Sequence, residues 1–181
     1  KMRQGSNQKR EYVAQVGMNG FEIGAEGPIV KNSSSYLINY RYSTLAIVDA
    51  MGFKVGIDAI PFYQDASFKV SSGNTKLGRF SLIGIGGYSF VKEFDSKKDT
   101  SELNNGKGED FTFGSGMGSV ALINKLLIKN KINIENSISM SYTVSRITKD
   151  TFSVKLPEPA PQYRQKSDEK GIDFSSSWKY K

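Results

Sequence analysis

The sequence predicts an all-β protein, a single antiparallel up-and-down barrel of eight strands. Apolar and polar residues alternate with a period of two over most of the chain after Tyr12, which is typical of strands. Tight turns alternate with long polar loops along much of the chain, which is the layout of an up-and-down barrel. The 181 residues suit one domain. We therefore expect a flexible basic tail over 1–10 and one barrel domain over 11–181.

The predicted strands are 12–24, 36–48, 53–62, 67–71, 79–91, 110–126, 132–147 and 171–181. Long loops are expected at about 25–35, 92–109 and 148–170, and a turn is expected near 63–66. A short helix over 119–130 is an alternative for one segment, because its leucines also have helical spacing. The glycines and the alternating Phe111-Thr112-Phe113 that precede it favour a strand.

The clearest alternation lies in 132–145. One side of this segment is apolar, with residues Ile132, Ile134, Ile138, Met140, Tyr142 and Val144. The other side holds Asn133, Glu135 and small hydroxyl residues, and it has neither Lys nor Arg. A face open to water usually carries several long charged side chains. Small polar side chains instead fit the confined interior of a narrow barrel, so we expect the apolar side to face outward to lipid.

Aromatic residues near the ends of the predicted strands agree with a transmembrane barrel. They are Tyr12, Tyr36, Phe53, Phe90, Phe111, Tyr142, Phe174 and Tyr180. Such residues form girdles at the two membrane interfaces, although aromatic residues also favour strands in general. Most of the predicted strands reach the 9–11 or so residues that span the hydrocarbon when tilted. The fold class predicted is thus an eight-stranded antiparallel up-and-down transmembrane β-barrel.

Composition excludes several kinds of chemistry. The chain has no His and no Cys, so it has no Ser-His-Asp or Cys-His catalysis, no Cys/His zinc site, no disulfide and no His or Cys ligand for haem. We expect no catalytic residues, no cofactor and no metal. A net charge of +7 and a pI of about 9.4 permit an acidic partner. The basic residues are scattered, however, and the glycine motifs do not match a phosphate loop, so no nucleic acid or nucleotide is expected.

Residues 11–181 resemble the small eight-stranded outer-membrane barrels, namely the OmpX type, the membrane domain of OmpA and the opacity-like surface proteins. The resemblance is carried by Gly84-Ile85-Gly86-Gly87-Tyr88-Ser89-Phe90, by Phe111-Thr112-Phe113-Gly114-Ser115-Gly116-Met117-Gly118, by the Lys129-Asn130-Lys131 turn and by Phe174-Ser175-Ser176-Ser177-Trp178-Lys179-Tyr180. It implies a bacterial outer-membrane location, contact with lipid and lipopolysaccharide, and a non-enzymatic role. Members of that family typically end on an aromatic residue, whereas Tyr180 is followed here by Lys181.

Two groups of residues are candidate functional positions. A structural polar network inside the barrel is predicted from charged residues on the polar faces of their strands: Arg41, Lys54, Asp58, Glu135 and Lys179. Charges enclosed in a narrow barrel have to pair. The loop over 148–170 mixes charges of both signs with Pro and apolar residues, so it is a candidate contact for a host or envelope protein through Phe152, Leu156, Tyr163 and Arg164.

The function predicted is that of a surface protein whose loops present a binding or adhesion surface, or that serves envelope structure. The alternative is a soluble, lipocalin-like barrel that binds a small hydrophobic ligand on an inward-facing apolar side. The Gly-x-Trp signature expected near the start of a lipocalin is missing, since the single Trp is Trp178.

Overall fold

The computed structural model describes residues 2–17, 20–43, 60–95, 107–128, 132–153 and 161–180. Eight strands form one antiparallel sheet in the order of the chain. They are β1 (Glu11–Gly17), β2 (Gly20–Val30), β3 (Ser34–Tyr42), β4 (Ile60–Ser71), β5 (Arg79–Phe94), β6 (Lys107–Ile128), β7 (Ile132–Ser153) and β8 (Pro161–Tyr180). The predicted all-β class and up-and-down order are confirmed.

The sheet has two free edges. β1 pairs only with β2, and β8 pairs only with β7, so the sheet is not closed as a barrel. The described residues contain no α-helix. The helical alternative over 119–130 is wrong for the described part of that segment, because β6 continues to Ile128 and pairs with Ile132 of β7.

The first predicted strand, 12–24, is in fact two strands. Gly17 pairs with Gly20, so the chain reverses between them. Gly20 has a φ of +145°, and a Cβ there would lie 2.1 Å from the carbonyl oxygen of Tyr42. Glycine is therefore required at this position. The Asn19-Gly20 dipeptide, a strong hairpin signal, was available in the sequence.

The predicted loop at 25–35 is much shorter in the structure. Residues 25–30 belong to β2, and the turn covers only 31–33, where Asn32 has a φ of 59°. Gly27 and Pro28 suggested a loop, but the pairing of β2 with β3 shifts register between Pro28 and Val30. Such an irregularity accommodates a proline that cannot donate to the ladder.

The turn expected near 63–66 and the separate strand 67–71 are also wrong, because both lie within β4. Asp65 is opposite Arg41 of β3, and their side chains form an ion pair with a 2.8 Å N–O distance. This cross-strand pairing stabilises a charged residue in the middle of a strand. Most of the predicted strand 53–62 lies outside the described residues. The count of eight strands in the described residues agrees with the prediction only because one predicted strand is two and the strand at 67–71 is not separate.

The expected loop at 148–170 is largely strand. β7 continues to Ser153 and β8 begins at Pro161, with pairing up to Phe152 and Pro161. Similarly, β5 and β6 enter the expected loop at 92–109 from both sides, as far as Phe94 and from Lys107. Both ladders are rich in charged residues, a composition that predicts loops from sequence.

The connections divide into two ends of the sheet. Residues 31–33, 72–78 and 129–131 link strands at one end, which we call the short-connection end. Residues 18–19, 43–59, 95–106 and 154–160 link strands at the other, the long-connection end. The segment preceding β1 and the last residues of β8 both lie at the short-connection end.

Candidate functional site: the two faces of the sheet

One face of the sheet is free of charge over a broad band. In a row that crosses β3 to β8, Ile38, Phe68, Gly84, Val120, Met140 and Phe174 are register partners. We call their side of the sheet the apolar face. It contains no Asp, Glu, Lys or Arg over 12–16, 21–27, 36–42, 62–70, 80–90, 116–126, 134–144 and 172–180, the segments that we call the apolar band.

The apolar band is exposed in the isolated chain. Met140 is 50% exposed, Phe174 77% and Trp178 79%. A monomeric soluble protein rarely leaves so large a contiguous apolar surface open, and such surfaces mark contacts with proteins or membranes.

Aromatic rings border the band toward the long-connection end. Phe21 stacks on Tyr42 with centroids 5.5 Å apart, Tyr42 meets Phe62 edge-on at 5.1 Å, and Phe62 stacks on Phe90 at 4.7 Å. This aromatic row crosses β2 to β5 near the ends of three of these strands. The ammonium of Lys92 lies 5.0 Å from the Phe90 ring centroid, one position further along the same face. The row therefore separates apolar side chains from the first charged one.

Glycines in the band make room for aromatic side chains of the neighbouring strand. A Cβ at Gly84 would lie 2.2 Å from the Phe68 ring. A Cβ at Gly116 would lie 3.2 Å from the Tyr88 ring. The glycine-rich strands β5 and β6 thus accept rings laid across them.

The opposite face, which we call the charged face, holds the charges of these strands. Its residues include Glu11, Glu22, Glu26, Arg41, Asp65, Lys69, Arg79, Lys125, Glu135 and Lys179, together with many serines. Besides the Arg41–Asp65 pair, Lys125 Nζ lies 2.9 Å from Glu135 Oε2. Ser119 and Ser141 are hydrogen-bonded at 2.9 Å.

The predicted polar network divides into two parts. Arg41, Glu135 and Lys179 lie on the charged face, and Glu135 is the register partner of Lys179. Arg41 pairs with Asp65 instead, several strands away from Glu135. Lys54 and Asp58 lie outside the described residues. Sequence reasoning did not identify Asp65 and Lys125, the actual partners of Arg41 and Glu135, because cross-strand register decides who pairs.

The candidate contact residues lie at the long-connection end. Phe152 belongs to β7, and Tyr163 and Arg164 belong to β8, where they are paired with Thr151 and Asp150. Leu156 lies outside the described residues. Three of these four positions thus have strand backbone, where a loop was expected.

The segment that precedes β1 is anchored to the charged face. Arg3 forms an ion pair with Glu26, and the backbone N–H of Ser6 donates to the same carboxylate at 3.1 Å. Further along the sheet, Lys69 donates to the carbonyl oxygen of Met2 at 3.0 Å. The guanidinium of Arg79 donates to the Gln4 side chain at 3.1 Å. We call residues 2–9, which belong to the segment expected to be a flexible tail, the N-terminal strap.

Gly5 fixes the position of the strap. It is buried, and a Cβ on it would lie 2.2 Å from the carbonyl oxygen of Tyr36. Asn32 N–H donates to Asn7 O at 2.7 Å. Nothing in the period-two pattern signals this contact, because the strap makes no strand.

Two clefts flank the strap on the charged face. One, of about 440 Å³, is lined by acidic residues of β1 and β2, including Glu11, Glu22 and Glu26. The other, of about 520 Å³, is lined by residues from β4 to β8, including Lys69, Lys125 and Lys179. Since one cleft touches strands that are four apart in the sheet, the sheet curves with its charged face on the concave side.

Beyond the band, β6, β7 and β8 carry charges on both faces. Arg146 and Asp168 are register partners joined by a 2.8 Å ion pair on the same side as the apolar band. On the other side, Lys149 lies 2.9 Å from Glu109. The hydrogen bond from Arg146 holds the pKa of the Asp168 carboxyl below its ordinary value, and the charge of Lys166 adds to this effect. We call residues 107–113, 145–153 and 161–171 the charged extension.

No α-helical span suited to crossing a membrane occurs in the part of the chain that the structure describes. The described residues also contain no group of three or more acidic or other metal-ligating side chains able to hold a metal ion.

Comparison of the chain with family models, with curated proteins and with solved structures finds no match. The resemblance to the small outer-membrane barrels therefore stays a prediction.

Proposed function

We propose that the protein is a non-enzymatic bacterial outer-membrane barrel. Its apolar face would meet lipid, and its long-connection end would present a surface for binding or adhesion. The observation that carries this proposal is the segregation of charge by face. Within the apolar band, charged side chains lie only on the charged face, while the apolar face is uncharged and exposed. A lipid-facing exterior around a polar interior requires this arrangement.

The dimensions of the band support a membrane. In β5 it runs from Phe80 to Phe90, and in β7 from Ile134 to Val144. Both stretches match the roughly 9–11 residues with which a tilted strand crosses the hydrocarbon. The aromatic row along one border corresponds to an interfacial girdle.

Closure of the sheet into a barrel is part of the proposal. Free edges on β1 and β8 expose unpaired backbone groups, and lipid provides no hydrogen bonds for them.

The charged extension supports the role in binding. It projects three paired strands beyond the aromatic row and ends near residues 154–160, whose neighbourhood includes the candidate contacts Phe152, Tyr163 and Arg164. Exposed segments carried on a rigid sheet are where binding residues concentrate. A host or envelope protein is the proposed partner, with lipopolysaccharide around the barrel.

The soluble, lipocalin-like alternative lacks a specific observation in its favour. It requires the apolar face on the inside, whereas the charged face is the concave one and carries the N-terminal strap. A protein that is monodisperse in plain buffer and binds a fluorescent fatty acid would support this alternative and contradict our proposal.

Neighbouring positions of β7 provide the test of lipid contact. The chain has no Cys, so Ile138→Cys and Ser139→Cys each accept a single fluorescent label. In vesicles that contain spin-labelled lipid we expect strong quenching at 138 and little at 139, because the two side chains point to opposite faces. Equal quenching at both positions, or failure to associate with vesicles, would overturn the proposal.

Cysteine pairs test closure separately. Ala14→Cys in β1 is combined in turn with Phe174→Cys, Ser176→Cys and Trp178→Cys in β8. If β1 and β8 pair, one combination forms a disulfide rapidly, since the bond needs Cα atoms about 5.5 Å apart. The register partners Ile138→Cys and Ser176→Cys are the positive control. A positive control that cross-links while all three test pairs fail would exclude closure.

A further inference from the structure

A row of charged residues crosses the charged face at the short-connection end. Arg79 of β5 is the register partner of Lys125 of β6, which is opposite Glu135 of β7, which is opposite Lys179 of β8. Two cations, Arg79 and Lys125, thus stand directly across from each other. Like charges in such positions are destabilising unless an anion lies between or beside them.

The cleft next to this row is cationic. Lys69, Lys125 and Lys179 line it, and Glu135 is its single acidic lining residue. Glu135 is engaged by Lys125 at 2.9 Å. Lys179 makes no ion pair with any described residue. The acidic residues of β1 and β2 line the other cleft, on the far side of the N-terminal strap.

Arg79 lies beside the cleft and adds to its positive charge. It is the register partner of Lys125, which lines the cleft, although Arg79 is not itself a lining residue. One end of its guanidinium is held by Gln4 of the strap, and its buried Nε atom has no hydrogen-bond partner among the described residues.

We propose that this cleft binds a small phosphate-bearing anion. Three ammonium groups arranged around a concave space suit a compact, multiply charged anion, because lysine binds phosphate as a point charge from any direction. Ser81 and Asn133 also line the cleft and supply neutral hydrogen-bond donors. A volume of about 520 Å³ accommodates inorganic phosphate or pyrophosphate with part of its hydration. The site rests on the curvature of the sheet and does not require the apolar face to meet lipid.

Inorganic pyrophosphate is the probe. It is titrated by calorimetry into the folded full chain, in detergent micelles or in buffer, whichever keeps it monodisperse. We expect saturable binding at millimolar concentration or below. Lys179→Gln should weaken binding about tenfold, since it removes one charge-assisted hydrogen bond. Lys179→Arg keeps the charge and should retain most of the affinity, which separates a role in binding from a role in folding.

Lys170→Gln is the matched control. It removes one positive charge from the same strand, but Lys170 lies in the charged extension. We expect its affinity for pyrophosphate to equal that of the unaltered chain. No saturable binding to the unaltered chain would overturn the proposal, as would equal losses in Lys179→Gln and Lys170→Gln.

A further arm separates two sources of the phosphate group. If vesicles that contain phosphatidylglycerol displace bound pyrophosphate and neutral vesicles do not, the site takes a lipid headgroup. If neither displaces it, the site takes a soluble phosphate. Because pyrophosphate binding is measured in solution, its failure leaves the lipid-contact test on Ile138 and Ser139 unaffected.

Discussion

The two parts of β7 differ in how charged residues are distributed between the faces of the strand. From Ile134 to Val144 its residues alternate strictly, with uncharged side chains on the apolar face and polar ones on the charged face. From Ser145 to Ser153 both faces carry charged residues, among them Arg146, Lys149 and Asp150. The backbone is one continuous strand paired on both sides throughout. Under the proposed function this difference follows from the surroundings of the strand: the first part would lie between lipid and a polar interior, and the second would have water on both sides.

The largest expected effect is that of a charge placed in the band. Met140→Lys on the apolar face should destabilise the protein folded in lipid by about 2–4 kcal/mol, as lysine near the bilayer midplane does. The measurement is equilibrium unfolding in vesicles.

Thr148→Lys, at an equivalent position of the charged extension, is the control, and we expect a change within about 0.5 kcal/mol. If Met140→Lys is as harmless as Thr148→Lys, then Met140 remains in water in the folded protein, and the comparison between the two parts of β7 fails.

The next largest expected effect concerns the N-terminal strap, which lies on the charged face. Gly5→Ala introduces a Cβ that would lie 2.2 Å from the Tyr36 carbonyl oxygen. The N-terminal strap must shift, and we expect a loss of about 1–3 kcal/mol together with faster tryptic cleavage at Lys9 and Arg10. Gln8→Ala, at an exposed position of the same segment, should change neither quantity. Unchanged cleavage in Gly5→Ala would mean that the strap does not occupy this position.

Matched ion pairs compare the two regions more finely. Arg41–Asp65 lies in the band, and Arg146–Asp168 lies in the extension, each with an N–O distance of 2.8 Å. Double-mutant cycles should give a coupling energy of about 1 kcal/mol for Arg41–Asp65. If the sheet closes as we propose, raising the salt concentration should weaken this coupling less than that of Arg146–Asp168, because closure would limit screening around Arg41–Asp65. If the two coupling energies depend equally on salt concentration, both ion pairs are equally accessible to water.

The smallest effect is the pH dependence of the charged extension. Because Arg146 lowers the pKa of Asp168 below its ordinary value of 3.8, the pair stabilises the folded state fully above that value. Its contribution is lost as the pH falls through the lowered pKa. Hydrogen exchange of amides in β8 should increase over this range, and Asp168→Asn should remove that part of the dependence. A carboxyl titration of Asp168 at or above its ordinary value would contradict the assignment.

Strands could be predicted from the sequence wherever one of their two faces is apolar. The two faces of β7 are those that the alternation predicts. Ile134, Ile138 and Met140 lie on one side, and Ser137 and Ser139 lie on the other. In most of the charged extension the sequence predicted loops, because charged residues lie on both faces there and no apolar-polar alternation indicates a strand. The prediction of where hairpins turn was also wrong, since the turns at Gly20 and Asn32 are fixed by backbone geometry and by pairing with distant strands.

The sequence by itself determined which side chains share a face, because the period of a strand is local and depends on nothing outside it. Only the tertiary structure decided which residues pair across the sheet: Asp65 with Arg41, Glu135 with Lys125, and the N-terminal strap with Glu26. These contacts join residues that are distant in the chain, and their partners follow from register and curvature. Register depends on all the strands together, so no local pattern contains it.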